Sequence, residues 1–395
     1  MKTLLFHVSN FLTGGIEKVL LGLLRGLDEK KYRMILVITH DLGDAEKLLP
    51  HIPPHVEVRR VLEKKWQNRV RYLKATGRIH PIEKAFWEVL LPGVIRREHR
   101  RKYPKWVQEA DVIIDFDTTL APYIHLLGAV RTAAYCHFAF HTMWDGRKDK
   151  LDRLAARLLQ YDVVVMLCDE MKEKTAALYP QLSSKLFRLY NALDFEQIEA
   201  QSRQWPQEWA FLKEEAYFVG VGRLNEGQKD FSTVIRAYAA ALRESAFREN
   251  LVIVGNGPDR AQLESLAAAE GVSDRVIFTG FQSNPYPFMA SAKAFLFGSK
   301  FEGLPTVLIE AHALNLPIVA TDCPTGVREL LADGKAGILV PVGDVEALKK
   351  GIQALQSEPG LRANLLAGAQ EILPLFRIEH AVAAFQEGVI GEVKA

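Results

Sequence analysis

Short apolar runs rich in valine and isoleucine alternate along the chain with longer amphipathic stretches. KTLLFHVS, Lys2 to Ser9, reads as a strand. From Gly15 to Asp28 the residues Ile16, Val19, Leu20, Leu23, Leu24 and Leu27 share one helical face. RMILVITH, DVIIDF, RTAAYCHF and DVVVMLC follow as strands, separated by helical segments. The pattern weakens from about Phe195 to Glu215, where QSRQWPQEWAFLKEE is polar and aromatic. It restarts with AYFVGVGR, NLVIVGNG, RVIFTGF, KAFLFGS, PIVATD and AGILVP, each followed by a helix-like stretch. This alternation predicts α/β architecture, with mostly parallel sheets carrying helices on both faces. Two doubly wound, Rossmann-like domains are expected, residues 1–200 and 201–375, facing each other across a cleft. A last helix, Ile378 to Val393, is appended within residues 376–395. No tandem short repeat is present.

A length of 395 residues suits two such domains, and 48% hydrophobic content is enough for two cores. The net charge of +2 gives no global case for nucleic acid. Charge is nevertheless uneven. From Glu57 to Lys105 there are fifteen Lys/Arg against five Glu, a net of +10, which leaves −8 elsewhere. Trp66, Tyr72, Phe86, Trp87 and the run IRREHRRKYPKW interleave aromatics with cations, as interfacial segments do. The segment reads either as a solvated helical surface or as a face for anionic lipid or phosphate. RNA ranks below both, because no RNA-binding motif accompanies the charge. Three separated cysteines, Cys136, Cys168 and Cys323, fit reduced thiols and not a cysteine zinc site. The first residues, MKTLLFHVSNFLTGG, lack the long apolar core and cleavage site of a signal peptide, and no window reaches the ~18 apolar residues of a membrane span. A soluble or peripherally bound protein is expected.

In open α/β sheets ligands bind beyond the carboxyl ends of the strands, so chemistry is sought there. Gly14-Gly15 follows the first strand and opens a helix, which lets backbone approach an anion; turn geometry alone is the other reading. GRLNEGQKD places Arg223 and Lys229 on the loop after AYFVGVG, a pair able to neutralise a diphosphate, or else two surface cations. Neither Gly220-Val221-Gly222 nor Gly255-Asn256-Gly257 completes a dinucleotide fingerprint, so a nicotinamide enzyme is poorly supported. His137 ends a strand and His141 lies four residues on, without a carboxylate at ligand spacing, so no metal is expected. Asp115 and Asp117 also end a strand, as turn residues or as ligand contacts. In FEGLPTVLIEA, Pro305 suits the first turn of a helix. Gly303, Leu304 and Thr306 then offer backbone N–H groups. Glu302 and Glu310 flank that turn, and carboxylates accept paired hydrogen bonds from vicinal hydroxyls. Favourable acids near a helix N-terminus are the other reading, which suits one glutamate better than both with Gly-Leu-Pro between.

EGLPTVLIE resembles the Glu-x7-Glu motif of retaining family 4 glycosyltransferases, which have the GT-B fold. TGGIEKVL, GRLNEGQKDFSTVIRAY, VGNGPDRAQLE, FTGFQSNPYPFMASAKAFLFGS and ATDCPTGVREL resemble further segments of that family in order, over nearly the whole chain, and YNALDFEQI resembles its approach to the hinge. The resemblance implies sugar transfer from a nucleotide diphosphate sugar with retained anomeric configuration, without metal or cofactor. It implies that Glu302 contacts the donor sugar, helped by Gly303, Leu304, Pro305 and Thr306. Glu310 would hold the ribose, Arg223 and Lys229 would neutralise the diphosphate, and Gly15 would pack near it. His137 matches a catalytic histidine, and the last helix would cross back to the first domain. The base is expected near Thr279 to Gln282. Phe138 and Asp117 depart from the common pattern, and Asp117 is a candidate acceptor contact. Envelope-type relatives suggest a UDP-linked hexose or N-acetylhexosamine donor, a lipid-linked or lipopolysaccharide-type glycan acceptor, and an anionic membrane contact through residues 57–105 on the cytoplasmic face. A soluble transferase for a small sugar or metabolite, and a non-catalytic nucleotide-sugar-binding protein, are the alternatives.

Overall fold

The computed structural model describes the chain apart from residues 13, 44–45, 63–80, 141–146, 245–246 and 393–395, and for residues 81–87 it describes the backbone alone. Trp66, Tyr72 and His141 lie outside the described residues, as do the side chains of Phe86 and Trp87. The chain forms two compact units. One comprises Met1–Leu167, Lys172–Leu189 and Ala381–Ala395; the other comprises Cys168–Met171 and Tyr190–His380. The change of unit at Leu189/Tyr190 precedes the loss of pattern near residue 200, because Tyr190 to Ser202 already packs with the second unit.

The first unit is a seven-stranded sheet in the order β3-β2-β1-β4-β5-β6-β7, with every strand pair parallel. Its strands are β1 (Lys2–Val8), β2 (Tyr32–Ile38), β3 (Glu57–Arg60), β4 (Val112–Asp115), β5 (Arg131–Cys136), β6 (Val163–Met166) and β7 (Leu186–Arg188). Five of these are the apolar runs of the sequence. The two edge strands, β3 and β7, were not legible there. β3 reads EVRR and has no fully buried residue, so it carries no hydrophobic signature. It is held by parallel pairing to Ile35–Ile38.

The second unit is a six-stranded parallel sheet in the order β10-β9-β8-β11-β12-β13. Its strands are β8 (Tyr217–Val221), β9 (Asn250–Val254), β10 (Val276–Gly280), β11 (Ala294–Phe297), β12 (Ile318–Thr321) and β13 (Ile338–Val340). Val234, Ile235, Tyr238 and Ala241 of the Phe231–Glu244 helix, with Leu348 and Ile352 of the Val345–Ser357 helix, join Phe218, Leu251, Ile253, Leu296 and Val319 in one core.

In both sheets the order reverses beside the first strand. β1 lies between β2 and β4, and β8 lies between β9 and β11. The loops after β1 and β4, and those after β8 and β11, therefore leave their sheets in opposite directions and open a crevice between them. The end of the chain is less regular than the sequence pattern predicts. An α-helix runs only over Ile378–Phe385, a π-turn follows at Gln386–Ile390, and Gly391 closes it with φ 78°.

Candidate active site

At the switch point of the second sheet the loop after β8 carries Arg223 and Lys229, and the loop after β11 carries Glu302. Glycines let these loops approach. A Cβ on Gly298 would lie 2.7 Å from the Asp230 carbonyl oxygen, and one on Gly257 would lie 2.1 Å from that of Leu224. The stem of Lys229 lies over Gly222, 3.7 Å from where a Cβ would stand, so both cations leave from one place on the loop. Arg223 is exposed and makes no ion pair among the described residues. Glu226 fixes the far end of the loop: its carboxylate accepts from the backbone N–H groups of Phe231 and Ser232 at 2.9 and 3.1 Å, capping the next helix.

Lys229 and Glu302 meet directly. Lys229 Nζ donates to Glu302 Oε1 at 2.5 Å, and Ser299 Oγ donates to the same oxygen at 2.7 Å. Gln228 Nε2 approaches Oε2 at 3.4 Å. Glu302 is only 9% exposed and Ser299 1%. The turn that presents Glu302 is braced from the loop after β12. Thr325 Oγ1 donates to the carbonyl oxygens of Glu302 and Gly303 at 2.9 and 3.0 Å, and Glu302 N donates to Pro324 O at 2.6 Å. Pro305 sits one place earlier than the sequence suggests. It is the N-cap, with ψ 100°, and the helix runs over Thr306–Ala313. The N–H groups of Gly303, Leu304 and Thr306 have no hydrogen-bond partner among the described residues. Glu310 lies inside that helix, 3% exposed, and accepts from Tyr286 Oη at 3.3 Å. Near the expected base position, Gln282 Nε2 donates to Thr279 O at 3.2 Å, and the Phe281 ring is 53% exposed.

In the first unit the equivalent edge is built around the loop after β4. Asp117 Oδ2 accepts from Ser9 N at 2.7 Å, and its Oδ1 accepts from the Thr119 hydroxyl. Asp117 thus ties the loop after β1 to its own turn. Gly15 is exposed and opens the Gly15–Gly26 helix. That helix end is already covered in part by its own acid. Glu17 Oε1 accepts from Leu12 N at 3.2 Å, and a Cβ on Gly14 would stand 2.6 Å from Glu17 Oε2. Burial pushes the Glu17 carboxyl up. His137 follows β5 with its ring 5.0 Å from that of Phe116 and 5.9 Å from that of Tyr135. Its Nε2 is enclosed without a partner among the described residues. Burial pulls it down to about 4, against a backbone hydrogen bond with Phe116, so the ring is neutral near pH 7.

Within the second unit the loops carrying Arg223, Lys229 and Glu302 leave at the switch point, and within the first those carrying Gly15 and Asp117 do; His137 leaves one strand further on, after β5, and Thr279 to Gln282 lie at the edge strand β10. Four contributors were missed. Ser299 was read only as a strand end, whereas β11 ends at Phe297 and leaves Gly298-Ser299 as the turn. Gln228 lies on the loop after β8, Tyr286 opens the Tyr286–Ala290 helix and Thr325 lies on the loop after β12; each falls inside a segment quoted above, and none has a role assigned to it there.

Residues 201–371 match the model of the family Glycosyl transferases group 1. The chain is 36% identical over 174 residues to the N-acetylgalactosamine-N,N'-diacetylbacillosaminyl-diphospho-undecaprenol 4-alpha-N-acetylgalactosaminyltransferase of Campylobacter jejuni, covering 44% of this chain and 45% of that one. It is 24% identical over 295 residues to the lipopolysaccharide 1,6-galactosyltransferase of Salmonella typhimurium, covering 72% of this chain and 74% of that one. The chain spans under half the length of the first curated relatives it matches. The structure superposes on Anabaena HepE in complex with UDP with a TM-score of 0.76 at 18% identity, over 99% of this chain and 100% of that one. The fold is GT-B.

Proposed function

We propose that this protein is a retaining, metal-independent glycosyltransferase that takes a UDP-linked hexose or N-acetylhexosamine and extends a lipid-linked or lipopolysaccharide-type glycan at the cytoplasmic membrane face. The observation that carries the reading is that the two loops of one switch point carry Arg223, the Lys229–Glu302 pair and the Gly303, Leu304 and Thr306 N–H groups, which are partner-free among the described residues. Breaking a glycosyl–phosphate bond develops negative charge on the leaving oxygen and positive charge on the sugar. Two cations, Lys229 held by Glu302 and Arg223 on the same loop, and a row of N–H groups stabilise the first, and a carboxylate suits the second. Glu302 and Glu310 are assigned to hydroxyls, of the sugar and of the ribose, and not to a hydrolase acid and nucleophile pair. Neutral His137 is assigned to the donor on the family resemblance. The exposed Phe281 ring offers a stacking face for a base. The acceptor class is supported by the relatives above, whose names place them on lipid-linked and lipopolysaccharide glycans.

The test is a thermal-shift screen of UDP-, GDP- and ADP-sugars, followed by turnover with Lys229→Ala, Glu302→Gln and His137→Ala. Stabilisation by UDP-sugars is expected, with turnover reduced at least about 100-fold in each variant while circular dichroism stays unchanged. Wild-type turnover in all three would remove the assigned site.

A further inference from the structure

The contact between Lys229 and Glu302 has a consequence for which nucleotide the site favours. This rests on the donor-site reading above. The cation assigned to the diphosphate is paired to the carboxylate assigned to the sugar. Both carboxylate partners, Lys229 Nζ at 2.5 Å and Ser299 Oγ at 2.7 Å, use the one oxygen Oε1. Among the described residues Oε2 has only the long 3.4 Å approach of Gln228. Glu302 is 9% exposed and the Lys229 side chain 18%, so water replaces neither partner fully when the pair is disturbed. In such surroundings an anion deprived of its cation is costly.

A sugar nucleotide and a nucleoside diphosphate disturb the pair differently. Either one brings phosphate oxygens that draw on Lys229. With the sugar attached, its hydroxyls donate to Glu302 and compensate the carboxylate for the lost share of the ammonium. Without the sugar, Glu302 retains Ser299 Oγ and faces additional negative charge. We infer that Glu302, coupled through Lys229, is a specificity determinant that disfavours the nucleoside diphosphate product relative to the sugar nucleotide donor, so that the site discharges product once the sugar has left.

The experiment measures calorimetric affinity for the matched pairs UDP and UDP-glucose, GDP and GDP-mannose, and ADP and ADP-glucose, in wild type, Glu302→Gln, Lys229→Ala and the double variant. Glutamine preserves an acceptor for Ser299 and removes the charge. Glu302→Gln is expected to tighten the diphosphate about fivefold or more and to weaken the matching sugar nucleotide, inverting the preference. In the Lys229→Ala background the tightening should be smaller, because competition for the ammonium is gone and only the direct repulsion between carboxylate and phosphate remains. Glu302→Ala, checked for folding by circular dichroism, carries the same expectation and stands in if the glutamine variant misfolds. Diphosphate affinity that is unchanged or weaker in folded Glu302 variants overturns the inference and leaves the donor site standing. Wild-type protein that binds none of the six overturns the donor-site reading itself, and the inference with it.

Discussion

Asp115 shows how one buried acid can organise an edge of the first unit. It ends β4 opposite His7 in the β1 register and is 0% exposed. Its Oδ2 accepts from Tyr161 Oη at 2.7 Å and from Leu120 N at 3.0 Å, which closes the turn carrying Asp117. Oδ1 is buried without a partner among the described residues. Burial first, and then the charge of Asp117, push its carboxyl up to about 8. The folded protein therefore keeps a proton that the unfolded chain releases near the ordinary value of 3.8. The stability tied to that proton is fully present below 3.8 and is lost as pH rises to about 8, where the slope levels off. Asp115→Asn mimics the protonated acid and lacks this loss. Its denaturation free energy should gain on wild type by roughly 1 kcal/mol per pH unit between pH 5 and 8. A difference that stays flat across that range would show Asp115 to be ionised in the fold. Glu302 offers a different residue-scale lesson. Its motif was visible in sequence, but its pairing with Lys229, 73 positions away, was not.

Among elements, the Pro81–Val107 helix bears on the basic segment, of which residues 63–80 lie outside the described residues. Its inward positions include Leu91, Glu98, His99 and Tyr103, with His99 stacked on Tyr123 at 4.1 Å. Several cations counted in the net charge are already engaged. Arg59 bonds to Glu57 and Glu109, Arg60 to Glu46, Arg101 to Glu98, and Lys102 to backbone carbonyls of β3 and Val61. Arg96, Arg97 and Arg100 are exposed and make no ion pair among the described residues. Val89 and Leu90 are 76% and 45% exposed on the same helix. Three arginines beside two aliphatic side chains fit the anionic-surface part of the proposal better than a merely solvated face. Vesicles containing phosphatidylglycerol should co-sediment the wild type, and changing Arg96, Arg97 and Arg100 to Glu should weaken this about tenfold or more. Equal sedimentation of both proteins would leave the helix as surface. No helix among the described residues is long and apolar enough to cross a membrane.

At the scale of the whole molecule, neither unit is a continuous piece of chain. The last residues complete the first unit. Phe385 stacks on Phe6 at 6.0 Å, Arg131 donates to the carbonyl oxygens of Val389 and Gly388, and Tyr32 Oη donates to Glu392 at 2.8 Å. A Cβ on Gly388 would lie 2.3 Å from the Phe187 ring, so a larger residue there must displace that ring of β7. A chain ending at His380 exposes that surface. Losing Phe385 alone costs about 1.5–3 kcal/mol. Hydrogen exchange should then show reduced protection in β1 and β5 and unchanged protection in β8, β9 and β11. Uniform loss across both sheets would mean that the two units share one folding transition.

The sequence by itself determined the α/β class, eleven of thirteen strands and the order of the motifs, because buried parallel strands must be apolar throughout and glycine is required where loops crowd. It missed β3 and β7 because EVRR and LFR are short and carry no apolar run. It also left the acids of FEGLPTVLIEA between helix-end ornaments and ligand contacts, since charge near a helix N-terminus is favourable in both cases. Only the tertiary structure decided that Lys229 and Ser299 meet on one oxygen of Glu302, that Asp117 is committed to Ser9 and Thr119, and that Glu17 already covers the glycine turn. Those outcomes depend on strand order, which places loops distant in sequence at a common switch point, and strand order is not written in any local window.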